Sequence, residues 1–420
     1  MAETTTGPVT GHDWWAMLTD PAFLENPYAD LRRLQRLGPI HLDEQSGIYF
    51  VLGHEAFGAI AKSPKIGRDT HYWQPGWNND EYRQRDPVGY ELYQGVQPQM
   101  INVDGADHKR MRAIWEEAFK LPAVKDMTPM IEAEAARLVA ELPDEGEIDL
   151  IRDFAAPMPM RVLCNLLNLP SSMDDTIHGW SEALIRIADV MISPEDKQRA
   201  LDAMKASKDF LRGFLAERRA AGDASLTGII IRAQDDGVVS EEEALTNMMS
   251  MLIAGHETTV TLIGNGMLLL LDNPEQMARL RADRALVRSA VEEFMRCEPG
   301  GNMILRVARE EVEICGTLIP AGAPILGMIG AVNRDPARFD NPDLFDVGRV
   351  GNAHFTFGGG PHVCLGAPLA RLEGLVAVNA LLDRWPSITL AGTPVWRTDR
   401  LNARGLATLP VKVGPVKVGR

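Results

Sequence analysis

"FTFGGGPHVCLGAPLAR" (residues 355–371) crowds three consecutive glycines, a histidine and a lone cysteine between a strand-like and a helix-like segment. Three chemistries compete for such a loop. A phosphate cradle sets its glycines ahead of Lys and Ser or Thr, GxxxxGK(S/T), and no such pair follows here. Burial as an inert packing residue is the common fate of a free thiol, but it leaves the glycines, His362 and Phe357 unexplained. A metal site uses them all. A cysteine thiolate can be the single protein ligand of haem iron. Glycine at 358, 360 and 366 lets the loop approach a flat macrocycle where side chains would collide. Loop N–H groups aimed at the sulfur tune its charge, and a helix opening after Gly366 brings its N-terminus to the thiolate. Phe357 is placed to cover the ring face, and His362 to reach a haem carboxylate.

The rest of the composition agrees with a soluble enzyme. The 420 residues are 45% hydrophobic and carry a net charge of −15; an acidic surface argues against general nucleic-acid binding. Cys164, Cys297, Cys315 and Cys364 form no CxxC pair, which argues against a disulfide framework or a zinc knuckle and suits a reducing compartment. No basic segment followed by an apolar run opens the chain, so a signal peptide is not expected. The longest apolar stretch, 261–271, is too short to span a bilayer. The expected location is the cytoplasm.

Along the chain, "NPYADLRRLQRLG" predicts a helix capped by Asn26 and stopped by Gly38, with Leu31, Leu34 and Leu37 on its apolar side. "PIHLDEQSGIYFVLG" (39–53) predicts a hairpin. Residues 66–102 show no clear period and hold Tyr72, Trp73, Trp77, Tyr82, Tyr90 and Tyr93; they read as a long functional loop. Residues 104–297 read as mostly helical, with strands returning at 311–330 and 408–419. No βαβ alternation, repeat or flexible linker appears. The expectation is one mainly α (α+β) domain over 1–420, a large helical portion with a small β-rich one, residues 1–20 being a flexible segment.

Three further stretches carry chemistry. In "MLIAGHETTVTLIG" (251–264), Met251, Leu252, Gly255, Thr259 and Leu262 share one helix face. Gly255 would cost a plain core helix about 1 kcal/mol against alanine, and the expectation is that its missing Cβ lets the helix pass close to a ring. Thr258 can turn its hydroxyl back to the carbonyl of Ala254, leaving Glu257 and Thr258 as an acid–alcohol pair. In "EEFMRCEP" (292–299), Glu293 and Arg296 lie at i, i+3 among apolar residues; buried, such a pair costs about 3–5 kcal/mol to break. In "VDGADHKRMR" (103–112), His108 and Arg112 stand one turn apart, the bland reading being a solvated basic face.

FxxGxxxCxG, with Phe357, Gly360, Cys364 and Gly366, resembles the haem-binding signature of the cytochromes P-450. The other stretches are similar to that family's AGx(E/D)T(T/S), ExxR and HxxxR motifs, in the family's order. The resemblance implies the triangular, mainly helical cytochrome P-450 fold and haem b (iron protoporphyrin IX) with Cys364 as axial ligand. It implies haem contacts from Ala254, Gly255, Phe357, Gly358 and Gly366, and propionate contacts from His108, Arg112, Arg306 and His362. Thr258 and Glu257 would steer protons; Glu293, Arg296 and Arg349 would be a structural ion triad. The implied activity is insertion of one atom of O2 into a small apolar molecule, C–H hydroxylation above all, the substrate being terpene-, steroid-, aromatic- or fatty-acid-like. Electrons would come from a separate ferredoxin with an NAD(P)H-dependent reductase, and neither nucleic acid nor membrane would be a partner.

A haem-thiolate peroxygenase would need no acid–alcohol pair, and a haem sensor would need no aromatic lid; these are the rival classes. One departure stands out: "VDGADH" replaces the commoner D-P-P-x-H, which puts the geometry of the 66–102 segment in doubt. Lys109 and Arg110 are expected to face an acidic ferredoxin while Arg112 turns inward. Gly300 and Gly301 are expected to leave space beside the iron. Arg68, Arg83 and Arg85 are expected on the solvated surface, the alternative being a substrate carboxylate anchor.

Overall fold

The computed structural model describes residues 7–73, 79–189 and 192–415. Its helices gather around one 32-residue helix, Glu241–Asp272. That helix starts on a reciprocal cap: Ser240 Oγ accepts from the Glu243 N–H at 3.2 Å, and Glu243 Oε2 accepts from the Ser240 N–H at 2.9 Å. Two of the four orphan donors of the first turn are thereby answered. The helix is apolar on most of its circumference because Pro157–Leu166, Asp174–Ile185, Pro194–Ala221, Val287–Cys297 and Ala367–Arg384 all pack on it. Gly266 permits the approach of helix Val287–Cys297: a Cβ there would sit 2.4 Å from the Phe294 ring.

The main sheet has five strands in the order Ile40–Asp43, Ile48–Val51, Pro324–Met328, Met303–Ala308, Ile66–Gly67. The expected hairpin is its edge, with Ile40 opposite Val51 and Asp43 opposite Ile48. Strand Met303–Ala308 runs antiparallel to Pro324–Met328 and carries Arg306 inward. Of the two regions expected to hold returning strands, 311–330 supplies Val312–Ile314, Thr317–Ile319 and Pro324–Met328, and 408–419 supplies Pro410–Gly414.

Three expectations are corrected. Residues 66–102 are not a loop: helices Asp80–Arg85 and Pro87–Val96 lie within them. The first buries none of its residues, so no apolar period marks it. Trp77 lies outside the described residues. Of residues 1–20, expected to be flexible, the described part is docked. Trp14 is buried and stacks on Phe50 at 3.8 Å, and Val9 bridges to His41. The early helix spans Tyr28–Gln35; Leu31 and Leu34 are buried, while Leu37 lies past its end, exposed.

The Glu293–Arg296 pair is fully buried. Glu293 accepts from Arg296 Nε at 2.7 Å and Nη2 at 2.8 Å, from Arg349 Nε at 2.9 Å, from the Asp346 N–H at 3.1 Å and from Asn352 Nδ2 at 3.0 Å. Arg296 also donates to the carbonyls of Asn333, Pro342 and Leu344. Every charged group here is hydrogen-bonded, the single carboxylate being shared by two guanidiniums, which is the condition for keeping ions in a dry interior. Glu293→Ala strands two arginines and is expected to cost about 3–5 kcal/mol. Denaturant unfolding checks this, with loss of soluble protein as the extreme outcome; Arg349→Met, on the more exposed partner, should cost less.

Candidate active site

The cysteine loop is built on its neighbours. Gly358 and Gly360 both have φ near +68°, the left-handed region that glycine tolerates. The Gly358 N–H donates to the Phe355 carbonyl at 2.8 Å and the Cys364 N–H to the Phe357 carbonyl at 2.9 Å. A Cβ on Gly360 would lie 1.9 Å from the Ala61 carbonyl oxygen. Glycine at 360 is therefore required by helix His54–Lys62, and not by the approach of a ring. Gly366 precedes helix Ala367–Arg384, and a Cβ there would be 4.0 Å from Cys364 Sγ.

Cys364 is accessible, yet burial is the main influence on its thiol and pushes it up. Against burial work the nearby N–H groups of Gly366 and Ala367 and the charges of Arg112 and Arg371. Such an environment favours a thiolate once a cation binds it. Phe357 lies under Arg371, whose guanidinium is 4.5 Å from the ring centre; Arg371 is held in turn by Glu292 at 2.6 and 3.1 Å.

On the other side of the loop, cations outnumber carboxylates. His362 Nε2 lies 2.8 Å from Asp104 Oδ1, and its ring is 4.1 Å from that of His108. Asp104 Oδ2 accepts from the N–H groups of Arg68 and Asp69 at 2.9 and 3.0 Å. Burial raises the Asp104 carboxyl, but His362 and these amides outweigh it and hold it well below the usual range. Arg306 is 5% exposed, and burial with the nearby Arg68 charge brings it down to about 9. Burial brings Arg68 down to about 10, and its Nε has no partner. Burial, with His362 and Arg112, lowers His108 to about 4. The two arginines are buried cations that need anions, and the neutral rings of His108 and His362 offer hydrogen bonds beside them. A group with two carboxylates answers that excess, so these residues fit haem. Arg112 belongs less directly: it donates to Glu116 at 3.0 Å and to the Val363 carbonyl at 2.9 Å.

A cavity of about 960 Å³ lies beside this cluster, walled in part by Arg68, Trp73, Tyr93, Ile253, Ala254 and Thr258. Its wall does not include Cys364. Thr258 Oγ1 donates to the Ala254 carbonyl at 2.7 Å, as the spacing predicts. Gly255 does not face the cavity: its Cβ would meet Leu163 at 3.5 Å, an ordinary contact. Residues 250, 254 and 258 form the i, i+4 row on the cavity side, and position 255 is turned about 100° from it. Glu257 is buried away from the cavity, toward His256 and Arg400. Gly300 opens no space either, since a Cβ there would lie 2.5 Å from Thr261 Oγ1 and 2.9 Å from the Thr258 carbonyl.

Arg83 and Arg85 are exposed, beside Tyr90 and Tyr82. Arg68 is not on the solvated surface, contrary to expectation. Nor is Arg110 an open cation: Glu243 holds it at 2.6 Å and Asp107 at 3.0 Å, while Lys109 is exposed. Sequence reasoning misplaced Arg68 and missed Asp104, Glu292 and Arg371. Only Asp104 left a signal, in the departure "VDGADH".

A family model described as Cytochrome P450 matches residues 78–414. The Vitamin D(3) 25-hydroxylase of Pseudonocardia autotrophica is 35% identical over 423 residues, which cover 99% of each chain. The Biotin biosynthesis cytochrome P450 of Bacillus subtilis is 33% identical over 396 residues, 93% of this chain and 96% of that one. The solved structure of P450BioI with a hexadec-9Z-enoic acid-ligated acyl carrier protein superposes with a TM-score of 0.87 at 31% identity, covering 93% of this chain and 100% of that chain.

The two glycines give opposite expectations in unfolding experiments. Gly360→Ala should destabilise by about 2 kcal/mol or more, from positive φ and the Ala61 clash. Gly255→Ala should be neutral or stabilise by up to about 1 kcal/mol, as an ordinary helix position would.

Proposed function

The chain belongs to the cytochrome P-450 family, and from that premise we propose that Cys364 is the thiolate ligand of its haem iron. The protein is a haem-dependent monooxygenase that works with O2, an apolar organic substrate and an electron-donating partner. Bound haem supplies the iron at which O2 is activated, so that one oxygen atom enters the substrate and the other leaves as water. The observation that carries the assignment of Cys364 is an accessible thiol on the glycine loop that leads into helix Ala367–Arg384, close to the N–H groups of Gly366 and Ala367. The chain has no CxxCH attachment motif, which supports non-covalent haem b.

Arg306, His362, His108 and Arg68 are assigned to the two propionates, with Asp104 holding His362 and the Arg68 backbone in place. This takes Arg68 away from the role of substrate anchor. Thr258, whose proton is committed to Ala254, presents its lone pairs on the cavity side and holds the proton donor that serves the distal oxygen. Glu257 replenishes that proton. Trp73, Tyr93, Ile253 and the other apolar wall residues take the substrate body, a terpene- or steroid-like molecule undergoing C–H hydroxylation; burial contributes about 25 cal/mol per Å². The electron donor is a ferredoxin with its reductase, docking near the cysteine loop, where Lys109 and Val363 are exposed. A single domain over 1–420 and a cytoplasmic location complete the reading; no described helix is long and apolar enough to cross a membrane.

Cys364→Ala should abolish the strongly red-shifted Soret band of the reduced carbon monoxide complex; a variant that kept the band would refute the ligand assignment. Thr258→Ala should keep haem and that band while product formed per NAD(P)H falls by about 100-fold, the electrons going to peroxide or water; this is the lower end of what general acid catalysis contributes. Unchanged coupling would remove Thr258 from proton delivery.

A further inference from the structure

Behind Glu257 lies a cluster that no step above uses. His256 is fully buried, and its Nε2 lies 3.2 Å from the Ala156 carbonyl. A carbonyl only accepts, so Nε2 carries the hydrogen. In a neutral ring Nδ1 is then a bare lone pair. It has no hydrogen-bond partner, and it faces Glu257 Oε1 at 3.4 Å. A lone pair set against an ionised carboxylate in a dry interior is costly unless a proton lies between them. His178, from helix Asp174–Ile185, brings its ring to 5.0 Å from that of His256, edge to face. One ligand atom from each of His178, His256 and Glu257 falls within 4.8 Å of the others. His256 and Glu257 are buried, whereas His178 is half-exposed.

We infer that His178, His256 and Glu257 form a proton-loading station: Glu257 and His256 Nδ1 share one proton, and His178 replaces it from solvent each time Glu257 gives it up. This rests on the delivery role given to Glu257 above. Only a proton moves, from the His178 imidazolium to the Glu257 carboxylate, leaving a neutral imidazole and a carboxylic acid. The charges facing the station are accounted for. Arg400 Nη1 stands 4.0 Å from Glu257 Oε2 and steadies the carboxylate between proton transfers. Asp399 holds Arg400 at 3.0 Å, and Arg397 holds Glu182, one turn beyond His178, at 3.0 Å. His256 acts here as a positioning residue, since its second nitrogen is tied to Ala156.

The test uses haem-loaded protein with ¹⁵N-labelled histidine, in the reduced, carbon monoxide-bound state, with the His256 signals assigned through His256→Gln. The expected result is a partly protonated His256 Nδ1 that becomes a bare nitrogen in Glu257→Gln. Exchange of the shared proton with solvent should slow by about tenfold in His178→Gln, the lower end of what a positioned proton-transfer group contributes being larger still. In turnover, His178→Gln should divert electrons to peroxide with an altered pH profile, and His178→Asp, which carries a proton only at acid pH, should reverse this at acid pH alone. A bare Nδ1 in the unsubstituted protein, or an exchange rate and pH profile unmoved by His178→Gln, overturns the station. If Glu257→Gln uncouples turnover while His178→Gln changes nothing, the station alone fails. If Glu257→Gln stays fully coupled, the delivery role of Glu257 fails, and the loading role falls with it even where the shared proton is seen.

Discussion

Glu293 is the point on which the site depends. Its buried carboxylate collects Arg296, Arg349, Asn352 and the Asp346 amide, and so ties helix Val287–Cys297 to the irregular segment that follows strand Pro324–Met328. The tie continues toward the cysteine. Asn333, whose carbonyl accepts from Arg296, donates through Nδ2 to Thr356 Oγ1 at 2.9 Å and accepts the Phe355 N–H at 2.8 Å. Thr356 Oγ1 donates to the Met295 carbonyl at 2.7 Å. The loop that presents Cys364 is thus hung from the same helix that carries the ion triad. A buried ion network is poor as a source of net stability and strong as a constraint, because each member is costly once its partner is lost.

The neighbouring carboxylate does related work on the loop's other flank. Glu292 binds Arg371 and His354; these partners outweigh burial and hold its carboxyl down to about 2. Arg371 lies on helix Ala367–Arg384 and covers Phe357. Two adjacent residues on one helix therefore fix the loop from both sides. What remains short of anions in this frame is the arginine pair Arg68 and Arg306, with Asp104 as the nearby carboxylate and the rings of His108 and His362 beside them. Glu292 and Glu293 are satisfied by their partners, whereas Arg68 keeps an unpartnered Nε beside Arg306. That contrast separates scaffold from site within one crowded region.

The distal side follows a different rule. The long helix sets only the direction of each side chain, and the row 250, 254, 258 is what meets the cavity. Thr258 reaches it; Glu257, one position earlier, points into a polar pocket with His256 and Arg400. The acid and the alcohol are neighbours in sequence but belong to separate environments, one open to the cavity and one closed. Any proton passing between them crosses from the closed side, which is why the residues behind Glu257 matter.

Much of this was determined by the sequence alone. The cysteine loop, the Glu293–Arg296 spacing, the hairpin and the Thr258–Ala254 bond are local, and short-range geometry suffices to read them. Helix Asp80–Arg85 was hidden because it buries nothing and so shows no apolar period. Gly255 and Gly300 were misread because a periodicity gives a face without saying what covers it. Arg68 could be placed only by the tertiary structure, since its neighbours Asp104 and Leu305 are 36 and 237 residues distant. The same holds for Arg110, committed to Glu243 across 133 residues, and for the meeting of His178 with His256. Charge compensation is a property of three-dimensional neighbourhoods, and a chain reveals which of its cations are left unpaired only once it has folded.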